Sequence, residues 1–478
     1  MLFNSLDFAV FLPVVFVVYW FIVNKNLKLQ NLFIVCVSYL FYGWWDWRFL
    51  SLILFSTLVD YAVGIALSKQ DNSYKRKLLL WISVLVNLGF LGFFKYYNFF
   101  LDNFVAAFSF FGTDIHVRSL NIILPVGISF YTFQTLSYTI DVYRRQLEPT
   151  RNFISFAAFV SFFPQLVAGP IERASNLLPQ FYVKRQFNSK LAIDGLRQIV
   201  WGVFKKVVIA DNCAQFANDI FNNYTDYSSS TLVLGVFYFA FQIYGDFSGY
   251  SDIAIGTSKL FGFDLKQNFA TPYFSRDIAE FWRRWHISLS TWFRDYVYIP
   301  LGGSRGTKTN QIRNVFIIFI VSGFWHGANW TFIVWGALNA LYFLPLLLNN
   351  KNRVHTNVVA EDKVLPSVKE LLQILITFSL TLFAWIFFRA ENVEKAFLYI
   401  KRIFKFSIQI TDRLSLERFA FELLPLIGLL ILIEWFSRQK EHPLINTKYP
   451  TLFTVFIVLL IVLFGSFSNI QEFIYFQF

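Results

Sequence analysis

The sequence contains five histidines, the side chains best suited to transfer protons near neutral pH. His116, His355 and His442 lie in polar stretches, whereas His286 and His326 lie in apolar, tryptophan-rich stretches. An imidazole in apolar surroundings needs either a hydrogen-bond partner or a chemical role. We therefore take His286 and His326 as the candidates for general acid–base chemistry.

His326 lies in the segment VSGFWHGANW, between Gly323 and Gly327, which allow close approach of backbone or ligand. Thirteen helical residues from Arg313 would place this imidazole about 20 Å into an apolar run. The hydrocarbon core of a bilayer is about 30 Å thick, so the ring would lie near its middle. Ionisable groups at that depth usually face a cavity or the protein interior. The alternative is a histidine that only packs against a neighbouring helix.

His286 lies in a segment where Phe281, Trp285, Leu289 and Trp292 recur at helical spacing. This pattern predicts one continuous amphipathic helix at the membrane interface. His286 falls at the border of the apolar face, so either a chemical role or an interfacial packing role fits it.

A third polar segment, QIYGDFSGYSD at 242–252, interrupts an apolar run. Asp246 could orient a histidine or pair with an arginine. Alternatively, Ser251 or Asp252 caps a helix that restarts at Ile253, and we favour such a structural role for the segment.

Other reaction types have little support in the sequence. We expect no metal site, because such a site would need more ligands than two distant histidines and there is no His-Glu-x-x-His pattern. Gly-x-Ser-x-Gly and Walker-type strings are also absent. A deep histidine without a neighbouring nucleophile suggests a general base that acts on a substrate hydroxyl.

The elements that would carry these residues are apolar and long. Only 15% of the residues are charged, against about 25% in soluble domains, so we predict an all-α polytopic membrane protein. We expect about eleven transmembrane helices plus re-entrant and interfacial pieces. The candidate runs are 7–23, 30–45, 49–67, 78–100, 121–140, 153–169, 196–221, 231–256, 313–327, 330–348, 370–388, 418–436 and 451–470.

The net charge of +12 arises from basic residues in short loops, as expected for cytoplasmic loops, and nucleic-acid binding is not indicated. Pro164, Gly169 and Pro170 should break the run 153–169, which favours a re-entrant element. The polar stretch from Asn349 to Lys363 fits a flexible connector better than a partner site.

Three strings carry a resemblance to a known family: PQLVAGPIER at 164–173, FWRRWHISLSTWFRDYVYIPLGG at 281–303 and FWHGANWTF at 324–332. With them the chain resembles the membrane-bound O-acyltransferase family, in its bacterial alginate O-acetylase-like branch. The similarity extends from the first span to at least Ala340. The resemblance implies a ring of tilted helices around a central tunnel, in a single membrane-embedded domain over 1–478. Core motifs would occupy 121–345, and peripheral helices 1–100 and 366–478.

The resemblance also implies roles for particular residues. His326 matches the catalytic histidine of the family and His286 its second histidine. Supporting residues would be Trp325 and Asn329 near the developing oxyanion, with Asp246, Trp282, Trp285, Arg283 and Arg284 in substrate binding. The two arginines would hold phosphates of the donor, although lipid phosphates are the simpler interpretation.

The implied reaction transfers an acetyl group from acetyl-CoA, a substrate rather than a bound cofactor, to a hydroxyl of a polysaccharide or cell-wall polymer. The chain would lie in the bacterial cytoplasmic (inner) membrane, within the lipid bilayer, and work with an extracytoplasmic esterase-like partner. Two alternatives stay open: transfer of D-alanyl or another acyl group, and a transporter or flippase of polysaccharide precursors.

Overall fold

The computed structural model describes residues 1–113, 119–405, 418–467 and 471–474, and within these ranges all regular structure is helical. His116 therefore lies outside the described residues. Among the described residues, five helices are long and apolar enough to cross a membrane: Leu27–Ser68, Ser73–Phe110, Ser229–Leu260, Trp330–Leu348 and Val368–Arg389. Leu6–Ile22, Leu423–Ser437 and Pro450–Phe464 are shorter apolar helices. The predicted all-α, multi-pass membrane class is confirmed, while the number of eleven spans stays a prediction.

The chain divides into two compact units. Unit 1 comprises Met1–Ala192 and Ser258–Leu265, and unit 2 comprises Ile193–Thr257 and Lys266–Phe478. The prediction of one domain over the whole chain stays a prediction.

The described part of unit 1 contains nine helices and the beginning of a tenth. They are α1 (Leu6–Val17), α2 (Leu27–Asp46), α3 (Leu50–Ser68), α4 (Ser73–Leu91), α5 (Tyr97–Phe110), α6 (Ile128–Tyr143), α7 (Phe153–Ser161), α8 (Phe163–Leu166), α9 (Ala174–Leu177) and α10 (Ser189–Val203). Short π or 3-10 turns extend several of them: Val18–Ile22, Trp47–Phe49, Gly92–Tyr96 and Leu178–Phe181.

Two predicted runs in unit 1 differ from simple spans. The run 153–169 is broken as predicted, since α7 ends at Ser161 and α8 is a single turn with Pro164 near its start. The run 121–140 was expected to be helical throughout, but α6 begins only at Ile128. Pro125 has no N–H to donate, and Gly127 adopts a left-handed conformation (φ 74°) that ends the extended segment before the helix.

Unit 2 contains the remaining helices: α11 (Asp211–Asn222), α12 (Ser229–Leu260), α13 (Ile278–Arg284), α14 (Ile287–Phe293), α15 (Lys308–His326), α16 (Trp330–Leu348), α17 (Val368–Arg389), α18 (Val393–Ile403), α19 (Arg418–Ser437) and α20 (Pro450–Phe464). Short turns at Phe204–Ala210, Tyr224–Asp226, Pro272–Phe274 and Arg294–Tyr298 complete the set. The last residues of α12 belong to unit 1.

Two sequence interpretations in unit 2 are wrong. Helix α12 runs without interruption through 242–252, so neither Ser251 nor Asp252 caps a restarting helix. The amphipathic helix predicted across His286 is divided into α13 and α14, because His286 itself takes a left-handed conformation (φ 43°).

The polar stretch after α16 is held in place by arginines rather than being a flexible connector. Arg283 donates hydrogen bonds to the carbonyls of Asn352 and His355. Arg438 donates to the carbonyls of Val359, Ala360 and Lys363 at 2.6–2.9 Å. Hydrogen bonds from a charged donor are stronger than neutral ones, so this loop has a defined conformation.

Candidate active site

His326 is the last residue of α15, and its side chain lies inside an aromatic shell. The residue is only 3% exposed. Its ring centroid lies 5.1 Å from that of Trp335 and 5.3 Å from that of Phe388, both in edge-to-face geometry. These rings fix the orientation of the imidazole and exclude water from most of its surface.

Glycines allow the helical hairpin that presents His326. A Cβ atom on Gly323 would lie 2.2 Å from the carbonyl oxygen of Phe332, and one on Gly336 would lie 2.4 Å from that of Phe319. A Cβ on Gly327 would overlap the Phe332 ring at 2.0 Å. Helices α15 and α16 therefore pack backbone to backbone just before the histidine.

The indole ring of Trp325 contacts the rings of both candidate histidines. Its ring centroid lies 4.9 Å from that of His326 and 6.1 Å from that of His286. The structure therefore brings together in unit 2 two histidines that are forty residues apart in the sequence. One shared indole is in contact distance of both.

His286 is held by Asn268, which precedes α13. The His286 Nδ1 atom lies 3.1 Å from Asn268 Oδ1, which also accepts the Ser288 backbone N–H at 3.2 Å and the Ser288 hydroxyl at 2.9 Å. The Ile287 N–H donates to the Asn268 carbonyl at 2.9 Å. Burial lowers the pKa of His286 to about 3, so its ring is neutral at physiological pH.

Further aromatic rings continue the shell. Trp285 lies 5.2 Å from Trp385 between centroids, and Trp385 stacks on Trp335 at 5.9 Å. Trp282 contacts Trp335 at 5.6 Å. The predicted residues Trp282, Trp285 and Trp325 thus belong to the same cluster as the two histidines.

A cavity of about 200 Å³ is lined by Trp282. Its walls are mostly apolar, with Leu289, Phe293 and Phe319 among the lining side chains. Arg353, on the loop after α16, also lines it. Trp282 therefore lines this cavity and also contacts Trp335, whose ring in turn contacts that of His326.

The Asp246 carboxylate bonds to a lysine and to a backbone N–H rather than to either imidazole. Its carboxylate pairs with Lys206 at 2.8 Å and accepts the Ile474 N–H at 2.7 Å. Lys206 also pairs with Asp211 at 2.8 Å. The partner of Asp246 is thus a lysine, neither the histidine nor the arginine considered from the sequence, and the carboxylate lies within a continuous helix rather than at a helix cap. A role for Asp246 in substrate binding stays a prediction.

The two arginines of α13 and Asn329 bond to other parts of the protein. Arg284 pairs with Glu280 at 3.0 Å and is largely buried, while Arg283 holds the loop after α16. Asn329 caps α16 by accepting the Thr331 N–H, and its amide donates to the Glu391 carbonyl at 2.8 Å. Their predicted roles toward donor phosphates and the oxyanion stay predictions.

Sequence reasoning missed Asn268, Trp335, Trp385 and Phe388. Asn268 carries no motif that connects it with His286 eighteen residues later. Trp385 and Phe388 lie on α17, which reads as an ordinary apolar span. Only the aromatic density around Trp335, close after His326, offered any signal.

The comparison with known proteins settles the family. The model of the membrane-bound O-acyltransferase family matches residues 144–359. A probable alginate O-acetylase, AlgI, of Azotobacter vinelandii is 41% identical over 410 residues, which cover 85% of this chain and 78% of the relative. The chain belongs to the membrane-bound O-acyltransferase family. It is therefore an acyltransferase, and the transporter alternative is set aside.

Other members of the membrane-bound O-acyltransferase family differ in how much of the chain they match. A peptidoglycan O-acetyltransferase of Helicobacter pylori is 38% identical, over 84% of this chain and 79% of the relative. A teichoic acid D-alanyltransferase of Streptococcus thermophilus is 29% identical, over 55% of this chain and 68% of the relative. The alginate O-acetylase and the peptidoglycan O-acetyltransferase thus match a much longer part of this chain than the D-alanyltransferase does.

Proposed function

We propose that this membrane-bound O-acyltransferase moves an acetyl group from acetyl-CoA on the cytoplasmic side to a hydroxyl of an exported polysaccharide or cell-wall polymer. The O-acetylating relatives match over 84–85% of this chain, which supports acetyl over D-alanyl transfer. The acceptor hydroxyl belongs either to the polymer itself or to an extracytoplasmic esterase-like partner that passes the acetyl group on. The bacterial cytoplasmic membrane is the place where such a donor and acceptor meet.

His326 is the general base of the proposed reaction. The neutral ring accepts the proton of the acceptor hydroxyl while the hydroxyl oxygen forms a bond to the thioester carbonyl carbon. When the tetrahedral intermediate collapses, the carbon–sulfur bond breaks and the proton on His326 passes to the leaving thiolate. The Trp325 indole N–H is the donor that we assign to the oxyanion.

The observation that carries this proposal is the shared contact of Trp325 with both histidines. A buried indole in ring contact with two buried imidazoles brings one indole N–H and four imidazole nitrogens into one small volume, which suits proton transfer beside a developing oxyanion. His286 then orients either the donor or His326. The cavity beside Trp282 is the place where we expect the thioester arm of the donor to approach.

A His326→Ala variant tests the proposal. Purified protein is incubated with acetyl-labelled CoA and membranes that contain the acceptor polymer, and transferred label is counted. We expect loss of at least about 10²-fold in rate, because general base catalysis contributes 10²–10⁴-fold. The matched control is His355→Ala, since the described contacts of His355 in the loop use its backbone carbonyl. Full transfer by folded His326→Ala protein would refute the assignment.

D-alanyl transfer is the second candidate, because the chain also matches a D-alanyltransferase. The same assay with a D-alanyl-charged carrier protein in place of acetyl-CoA separates the two. Transfer from the carrier alone would overturn the acetyl assignment and leave the acyltransferase assignment intact.

A further inference from the structure

The segment around Asn268 is joined to the segment around His286 by several hydrogen bonds within unit 2. Asn268 has no exposed surface. Its carbonyl accepts the Ile287 N–H, and the Ala270 N–H donates to the Arg284 carbonyl at 3.0 Å. The two segments therefore form a short paired structure on either side of the histidine.

This pairing supports an unusual backbone at His286. The residue has φ 43° and ψ 56°, in the left-handed region that residues with a Cβ rarely adopt. Such conformations persist where surrounding contacts fix them, and they occur often at functional sites. The hydrogen bonds from Ile287 and Ser288 to Asn268 are the contacts that fix this one.

The same contacts decide which nitrogen of His286 carries the proton. The Ser288 backbone N–H can only donate, so the Asn268 atom that it reaches must be the carbonyl oxygen Oδ1. His286 Nδ1 lies 3.1 Å from that same oxygen and therefore must donate to it. The amide nitrogen of Asn268 is directed instead to the Ser251 hydroxyl at 3.2 Å.

We propose that Asn268 is a positioning residue that holds His286 as the Nδ1–H tautomer, with the lone pair on Nε2 directed at the reacting groups. The inference rests on the proposed function, because it gives His286 a defined part in that reaction. Because Nε2 then carries no proton, it accepts a hydrogen bond from the acyl donor, from the acceptor hydroxyl or from His326. It does not donate one. Phe247 and Phe269, whose centroids lie 4.6 and 6.3 Å from that of His286, enclose the ring with side chains that do not ionise.

The tautomer can be read directly by ¹⁵N NMR of protein labelled only at its five histidines, with His286→Gln used to assign the signal. We expect wild-type His286 to show a protonated Nδ1 and an unprotonated Nε2. Asn268→Asp keeps an acceptor oxygen and should keep this pattern.

Asn268→Ala removes the acceptor and should give a mixture of tautomers. It should also lower kcat about 10- to 100-fold, as for other partners that orient a functional histidine, with KM for acetyl-CoA unchanged.

Asn212→Ala is the matched control, because Asn212 is also buried but donates to the carbonyls of Val208 and Phe464. It should leave the His286 signal and kcat as in the wild type. An Nε2–H signal in the wild type or in Asn268→Asp would overturn the proposal, and so would unchanged signal and kcat in Asn268→Ala. If Asn268→Ala does not fold, the spectra of the wild type and Asn268→Asp still decide. Failure of the proposed function would appear separately, as full transfer by His326→Ala.

Discussion

Replacing Gly323 with alanine tests whether close packing of α15 on α16 positions His326. The added Cβ would lie 2.2 Å from the Phe332 carbonyl oxygen and 3.3 Å from the Gly336 Cα. Carbon–oxygen contacts of this kind are normally 3.3–3.6 Å long, so the two helices would have to separate by about 1 Å. Because His326 follows three residues later on the same helix, its ring would move with that displacement.

The stability change and the activity change should differ in size. Overpacking costs about 1–3 kcal/mol, while alanine gains roughly 1 kcal/mol over glycine in a helix. The net destabilisation is therefore about 0–2 kcal/mol, and the protein should still fold. A displacement of 1 Å at a catalytic group can reduce the rate by about 10²-fold, so acyl transfer should suffer far more than stability.

The assay combines label transfer from acetyl-CoA with thermal unfolding of the purified protein in detergent. Gly428→Ala on α19 is the control, because a Cβ there would have no heavy atom within 4 Å. That variant should be slightly more stable than the wild type and fully active. If Gly323→Ala behaves like Gly428→Ala in both measurements, the reasoning about helix packing is refuted.

Two further predictions concern buried charges. Lys206→Met leaves the carboxylates of Asp211 and Asp246 buried without their cation and should destabilise the protein by about 3–5 kcal/mol, measured as a lower unfolding temperature. Adding Asp211→Asn and Asp246→Asn should restore most of this loss, and no restoration would contradict the account. In unit 1, Asp60 accepts hydrogen bonds from Asn87 and from three hydroxyls, so Asp60→Ala should cost at least about 1–3 kcal/mol and Asp60→Asn less. Equal stability of the two Asp60 variants would contradict this role.

The sequence was sufficient where a single residue determines the local structure. Pro164 is tolerated only in the first turn of a helix, where it lies in α8, so the break in 153–169 was predictable without knowledge of its neighbours. The same holds for the membrane class, which follows from long apolar runs. His326 could be singled out as a candidate because an ionisable side chain in such a run is rare.

The break at His286 could not be predicted, because tertiary contacts outweigh the local pattern there. Phe281, Trp285, Leu289 and Trp292 have the spacing of one helix face, and all four are buried as that pattern implies. Nevertheless the chain leaves the helix at His286, where Asn268 accepts the two N–H groups that follow it. Long-range partners of this kind leave no periodic signal.

The long loop after α16 was misread for a related reason. Its polar composition is typical of a flexible connector. However, the arginines that bind its carbonyls lie on other elements, Arg283 on α13 and Arg438 just after α19. Arg283 and Arg284 were considered as ligands for phosphates because their positive charge was visible in the sequence, whereas their protein partners were not.

The aromatic shell around the histidines has a consequence for the chemistry. In the proposed reaction, water could attack the thioester as well as the acceptor hydroxyl does, and both attacks would use the same base. Trp335, Phe388 and Trp325 cover the His326 ring on several sides, which limits the positions from which a nucleophile can approach. Excluding water also strengthens each electrostatic interaction inside the site. Under the proposed function, the rings around the imidazoles therefore favour transfer over hydrolysis, because they limit the access of water to the base.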